Sequence, residues 1–340
     1  MNLLLNALSC APVPRPPVWL MRQAGRYMPA YRALRERYSL WDMFHRPELA
    51  AEVTLFPIEW LDVDAAILFS DILVVAECLG LQLTFPSQGG PRVFPTVTPM
   101  QVDHLPLLPV EKSLSYVFET IALVKQKLLV PLIGFCGGPF TVATYCIDAE
   151  SSQPFFLTRR WIEEDPKSFH RLLEKLTRVS IDYITAQVRA GAVAIQIFDS
   201  WANILSDEQF ELFCLPYLQR LVDAVKSKAP VILFCRDSSK RHAQLTRVKP
   251  SCISLDEQCS MAEMRKILPA EMAIQGNVAP LLLKQPPALI EQHVEKLLTS
   301  LARAKGVIIN LGHGVLPDTP LHHVQCFVNA VRFFSGSENI

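Results

Sequence analysis

Arg22 and Arg26 stand close together in the stretch Pro17-Val-Trp-Leu-Met-Arg-Gln-Ala-Gly-Arg-Tyr-Met-Pro29. A guanidinium is a rigid fork of N–H donors that can grip a carboxylate or phosphate by two bonds at once. Two such groups on one loop suit a ligand carrying several acids; the alternative is a solvated basic loop. Gly25 between them is read as the residue that lets the backbone turn tightly. Other reactive or polar side chains follow short apolar runs in the same way. They are Asp71, Ser200, Arg236, Asp256, Asn277 and His313, with Tyr145 just beyond Gly137-Gly138. An acid flanked by apolar sequence needs a partner if buried, so Asp71 is either a site carboxylate or a cap on the turn that follows it. Asp199 and Asp256 are read as supporting acids. No metal-ligand pattern such as H-E-x-x-H or His-x-Cys occurs, and neither a phosphate-binding G-x-x-x-x-G-K-[ST] nor an acyl-transfer G-x-S-x-G. His322-His323 is read as the opening of a helix, because neighbours on a helix point to different faces.

Those side chains must be positioned by the runs that precede them. Eight apolar runs are visible: Val18–Met21, Ala65–Phe69, Val130–Phe135, Ala194–Phe198, Val231–Phe234, Cys252–Leu255, Met272–Ile274 and Val307–Leu311. Near-continuous Val, Ile, Leu and Phe suits parallel strands covered on both faces. Between them lie helical patterns. Leu172, Leu176, Val179, Tyr183 and Val188 share a face and stop at Gly191. Ser206-Asp-Glu-Gln209 has the form of a capping box for a helix running towards Ala229-Pro230. Met261–Leu268 and Leu289–Leu301 are further helices. Strand–helix alternation with eight strands predicts an α/β fold, a single (β/α)8 TIM barrel spanning 1–340, with residues 1–15 as an N-terminal extension and a hairpin insertion near 81–97 around Gly89-Gly90. An open doubly wound sheet is the alternative, weakened because no G-x-G-x-x-G follows the first strand.

Composition narrows the class. Half of the 340 residues are hydrophobic, and Lys+Arg and Asp+Glu are both 33, so the formal net charge is zero. Without a basic excess, a nucleic-acid partner is not expected. Positive charge for an acidic ligand must be local, as the Arg22–Arg26 loop would supply. The nine Cys are unevenly spaced with no C-x-x-C, which reads as reduced thiols of a cytoplasmic protein. No signal peptide and no 18-residue apolar run is seen, so no membrane span is expected.

With these residues laid out, the chain resembles the uroporphyrinogen decarboxylase family of the haem pathway, from about Pro16 to Pro320. Met21-Arg22-Gln23-Ala24-Gly25-Arg26-Tyr27 is similar to the family's first signature, and Pro139-Phe-Thr-Val-Ala-Thr-Tyr145 to its second. Ala65-Ala-Ile-Leu-Phe-Ser-Asp71, Phe198-Asp-Ser200-Trp and Asn310-Leu-Gly-His313-Gly-Val-Leu-Pro-Asp318 match further motifs in family order. The resemblance implies a (β/α)8 barrel, usually a homodimer, working without metal or organic cofactor on a cyclic tetrapyrrole with eight carboxylates. It implies that Arg22, Gln23, Ala24, Gly25 and Arg26 bind substrate, with Arg22 and Arg26 on its acid groups. Asp71 would accept hydrogen bonds from the pyrrole N–H groups and join the two arginines as the catalytic set. Tyr145, Ser200 and His313 would contact the macrocycle or its side chains. One segment, Arg236-Asp-Ser-Ser-Lys240, and three single positions, Glu257, Ala279 and Asn203, depart from the family pattern. A related class, cobalamin-linked methyltransferases, binds zinc through a His-x-Cys at a strand end, where this chain reads Leu233-Phe-Cys235.

Overall fold

Seven of the eight apolar runs pair as strands in a computed structural model, which describes residues 2–86, 89–150, 154–302 and 304–334. The strands are β1 (Ala66–Ile67), β4 (Leu132–Gly137), β5 (Ala194–Asp199), β6 (Val231–Cys235), β7 (Cys252–Ser254), β8 (Ala273–Val278) and β9 (Val307–Leu311), joined in that order and parallel throughout. Every residue of β4, β6, β7, β8 and β9 is buried, as expected for parallel strands covered on both faces. Two short strands, β2 (Gln82–Thr84) and β3 (Arg92–Phe94), form the expected antiparallel hairpin, burying Leu83 and Val93 and exposing their neighbours. Residues 87 and 88 in its turn lie outside the described residues, as do Met1 and 335–340 at the ends of the expected domain.

The expectation of eight strands needs one correction. Val18–Met21 forms a single bridge, Val18 to Ile309, and no strand. Pro16 and Pro17 have no N–H to give to a ladder, and the chain turns at Arg22. The segment still spans the seam between the two edges of the sheet. On one side Trp19 N–H donates to Ile309 O at 3.3 Å, and Ile309 N–H donates to Pro17 O at 2.9 Å. On the other, Asp64 N–H donates to Val18 O at 2.8 Å, two residues before β1. The Asp64 carboxylate ties the seam from below. It accepts from Val18 N–H at 2.8 Å, from both terminal nitrogens of Arg15 at 2.7 and 2.8 Å, and from Arg332 at 3.3 Å. Residues 2–15 include a helix, Leu3–Leu8, that buries Leu4, Ala7 and Leu8.

The connecting helices follow the sequence patterns with one break. Pro166–Ala190 stops at Gly191, in the left-handed region at φ 133°. The Ser206–Gln209 capping box forms, but its helix ends at Phe213 and a second runs Leu215–Val225. Pro216 cannot donate back to residue 212, so the ladder fails there. His322 and His323 open the helix Leu321–Arg332. All nine Cys are unbridged, six of them buried as small hydrophobes.

Removing the Asp64 carboxylate would leave the Arg15 guanidinium and the Val18 amide without their partner at the seam, while Arg332 keeps Asp62. Asp64→Ala should lower unfolding free energy by about 3–5 kcal/mol, the range for breaking a buried ion pair on one side. Urea denaturation checks this, and a change under 1 kcal/mol would show that the seam holds without it.

Candidate active site

The C-terminal ends of the strands surround a cavity of about 280 Å³, near the lower end of the range for small-molecule sites. Phe135 of β4, Phe198 of β5 and Phe234 of β6 all line it. Their rings pair edge to face, with centroids 5.8 and 5.9 Å apart. They make an apolar floor, and the polar groups stand around it.

Asp71 lines the cavity half-buried. One carboxylate oxygen accepts from Leu73 N–H at 2.9 Å; the other makes no hydrogen bond among the described residues. The cap reading of Asp71 is realised by one oxygen, and the residue also lines the cavity. Burial pushes its pKa up to about 6, against the opposing pull of the Leu73 N–H and the Arg22 charge.

Arg22 is exposed at the rim and lines the same cavity. Its backbone sits in the left-handed region at φ 57°, which costs an L-residue about 1–2 kcal/mol. Gly25 was the expected turn residue, but it has no positive φ; Arg22 carries the turn itself. The loop is fixed around that strain. Met21 N–H donates to Asn310 Oδ1 at 2.9 Å, and Val315 N–H donates to Met21 O at 3.0 Å. Gln23 is buried, accepting from Leu20 N–H at 3.1 Å and donating to Ala65 O at 3.2 Å. Gly314 leaves room for the Arg22 side chain: a Cβ there would lie 2.4 Å from Arg22 Cδ.

Of the sequence-derived site residues, the cavity brings together Arg22, Gln23, Ala24, Asp71, Tyr145, Ser200 and His313. Gly25 and Arg26 do not line it. Arg26 is exposed on the outer part of the loop, where its carbonyl accepts from Arg32. Asp256 and Asn277 also lie elsewhere. Asn277 donates to Asp256 O at 2.8 Å and Cys259 O at 2.7 Å, bracing the loop after β7.

Asp199 explains Gly138, the residue just after β4. It is fully buried and accepts from Thr141 N–H at 2.9 Å and Thr141 Oγ1 at 2.6 Å. A carboxylate there serves the unpaired N–H groups of the helix Pro139–Asp148. A Cβ on Gly138 would sit 2.2 Å from Asp199 Cγ, so only glycine admits this acid. Burial raises the Asp199 pKa, countered by the Thr141 and Cys214 hydrogen bonds.

His313 is half-buried between Gly312 and Gly314, and Arg236 Nη2 lies 3.4 Å from its Nε2. Burial pushes its pKa down to about 4, with the charges of Arg22 and Arg236 acting in the same direction. At neutral pH it is an uncharged imidazole that accepts at one nitrogen and donates at the other. The phenylalanine floor escaped the sequence reading, although each ring stands at or near the end of its apolar run. Among the described residues, no three His, Cys, Asp or Glu side chains gather to hold a metal ion. Nor is any helix there long and apolar enough to cross a membrane.

Titration of the empty protein by NMR should find the Asp71 carboxyl protonating near pH 6 and the His313 ring neutral down to about pH 4. An ordinary His value near 6.5 would show that the two arginines do not press on it.

A sequence profile described as uroporphyrinogen decarboxylase matches residues 1–334. The protein of that name from Protochlamydia amoebophila is 47% identical over 330 residues, covering 97% of this chain and 91% of its own. The one from Trichlorobacter lovleyi is 42% identical over 339 residues, covering 98% and 99%. Among solved structures, a methyltransferase from Methanosarcina mazei superposes with a TM-score of 0.81 at 24% identity over 97% of both chains. A B12-independent methionine synthase from Shewanella sp. W3-18-1 reaches 0.54 at 10% identity, over 84% of this chain and 87% of that one. At those identities the structural likeness speaks for the fold, whereas the sequence matches run nearly end to end: the chain belongs to the uroporphyrinogen decarboxylase family.

Proposed function

We propose that this protein removes carbon dioxide from the four acetate side chains of uroporphyrinogen III, giving coproporphyrinogen III, and that Asp71 is the group on which the reaction turns. The observation that carries the reading is a half-buried carboxylate with one oxygen open to a cavity floored by three phenylalanines and rimmed by Arg22. A ring of pyrrole N–H donors suits a carboxylate, which only accepts when ionised. The macrocycle lies against the phenylalanine floor, its acid groups turned to the rim. Arg22 binds one of them directly, and Arg26 draws the others from the outer face of the loop. Gln23 and Gly25 keep the loop in shape, and Ala24, Tyr145, Ser200 and the neutral His313 line the pocket.

Breaking the bond to carbon dioxide leaves an electron pair on the acetate methylene. A proton added to the pyrrole carbon beside it makes the ring a cation that accepts that pair. The exocyclic methylene then takes up a proton and becomes a methyl, and the ring gives one back. Each turn thus consumes one proton and releases one carbon dioxide. Because the substrate is its own electron sink, the reaction needs neither metal nor organic cofactor. Asp71 lies where it stabilises the cation, an electrostatic contribution of several kcal/mol in preorganised sites. The reading includes a cytoplasmic homodimer of one-domain subunits, with residues 1–15 as an extension; unbridged cysteines suit that compartment.

Asp71→Asn should lose at least ~10²-fold in kcat/KM, about 2.7 kcal/mol, when decarboxylation of uroporphyrinogen is followed anaerobically. Asp71→Glu should fall between, since it keeps the charge but moves it. The same change separates function from folding. Asp71 has a higher pKa folded than its ordinary 3.8, so folded stability is full below about pH 4 and declines as pH rises through about 6. At pH 8 Asp71→Asn should therefore melt no lower than wild type. Loss of activity together with a large drop in melting temperature would instead make Asp71 a structural cap.

The acid side of the pH–kcat/KM profile should break near pH 6, because substrate binds the ionised carboxylate. The break should survive in His313→Gln. Its disappearance there would transfer the ionisation to the imidazole.

A further inference from the structure

Arg236 stands just beyond β6, two residues after Phe234, whose ring lines the cavity. Arg236 lies in the turn after the strand and does not line the cavity itself, but its Nη2 is 3.4 Å from Nε2 of His313, which does, so its guanidinium stands at the same mouth. No acid fixes it: among the described residues it has no ion pair with Asp or Glu, and its single hydrogen-bond contact is His313. The guanidinium instead lies over the Trp201 ring, with Cζ 4.5 Å from the centroid. A planar cation on an aromatic face keeps its N–H donors directed outward from its edge.

Trp201 is itself anchored. Its backbone N–H donates to Thr141 Oγ1 at 2.9 Å, and that hydroxyl donates to the buried Asp199. Phe155 packs on its ring at 5.1 Å. The guanidinium is therefore held before any ligand arrives, with most of its donors unused. Its place is also informative. In the ring of strands, β6 lies across the mouth from the Val18–Met21 segment that carries Arg22. His313 stands between the two guanidiniums and feels both charges. Two cations acting on one imidazole at one mouth match two acid groups on one ligand.

We propose that Arg236 is a substrate-positioning residue that binds a second carboxylate of the polyacidic substrate, distinct from the one held by Arg22. This rests on the decarboxylase reading and adds to it. Arg22 alone would leave a macrocycle free to swing about one anchor; two anchors fix its orientation over Asp71. The pair also favours ligands with several acid groups over those with fewer.

The test compares wild type, Arg236→Gln and Arg236→Lys on uroporphyrinogen, with KM and kcat measured at low and high salt. Arg236→Gln should raise KM about tenfold, as loss of a hydrogen bond to a charged group does, with kcat falling by less than about threefold. Its KM should respond less to salt than that of wild type. Arg236→Lys, which keeps the charge without the fork, should recover part of the affinity. Unchanged KM and salt response in Arg236→Gln would overturn the assignment. So would a fall in kcat and melting temperature with KM unmoved, which would make the Trp201 stack purely structural. Wild-type protein that fails to decarboxylate uroporphyrinogen would sink the broader reading and this assignment together, whereas active wild type with an indifferent Arg236→Gln sinks this assignment alone.

Discussion

A curled parallel sheet has two edges, and the tie between them is the constraint that the rest of this molecule obeys. An unpaired edge leaves a row of N–H and C=O groups without partners. Here Val18 serves both edges, and the Asp64 carboxylate locks that contact by accepting from Val18, Arg15 and Arg332. Three distant parts of the chain meet at one acid. Arg22 follows directly from the tied segment, so its left-handed backbone is held from beneath and not by its own loop alone. Strain of this kind persists only where the surroundings over-determine it.

The cavity has a solid floor for a related reason. Beneath the phenylalanines the interior is filled by hydrogen-bonded side chains. Trp19 Nε1–H donates to Gln275 Oε1 at 2.9 Å, and Gln275 Nε2 donates to Ser254 Oγ at 2.9 Å and Gln196 Oε1 at 3.1 Å. Gln196 lies two residues before Phe198 and so faces the same way, one layer lower. Buried amides are costly unless paired; as a network they join the first segment to β5, β7 and β8. A barrel centre of this kind is packed and not a pore. The floor can therefore stay apolar, and polar chemistry is confined to the rim, where Asp71 and Arg22 both stand.

Much of this was legible in the sequence, because buried parallel strands read as unbroken apolar runs and deliver the next side chain into the mouth. Asp71, Ser200 and His313 were found that way. What could not be read depends on contacts between segments far apart. Arg26 shares a loop with Arg22, but a loop has no periodicity from which to infer which side chain turns inward. Gly25 looked like the turn residue, whereas the strain is borne by Arg22 because Gly314, from the last strand tip, makes room for its side chain. Gly138 looked like part of a tight turn and is in fact the space that a buried carboxylate occupies. The break at Cys214 was foreseeable from Pro216. The stacking of Arg236 on Trp201 was not, since it needs β5 and β6 side by side.

The packing of Arg22 against Gly314 has a consequence for synthesis. One partner is made at the very start of the chain and the other near its end. While the ribosome is still adding β9, the Val18 segment has no neighbour on that side, the loop carrying Arg22 has nothing to lean on, and the nascent chain shows an open sheet edge. Pairings of such long sequence separation form late and slowly. The pocket thus comes into being as the last act of folding, and a chain shortened before Val307 would emerge with most of its helices and strands but without an organised mouth.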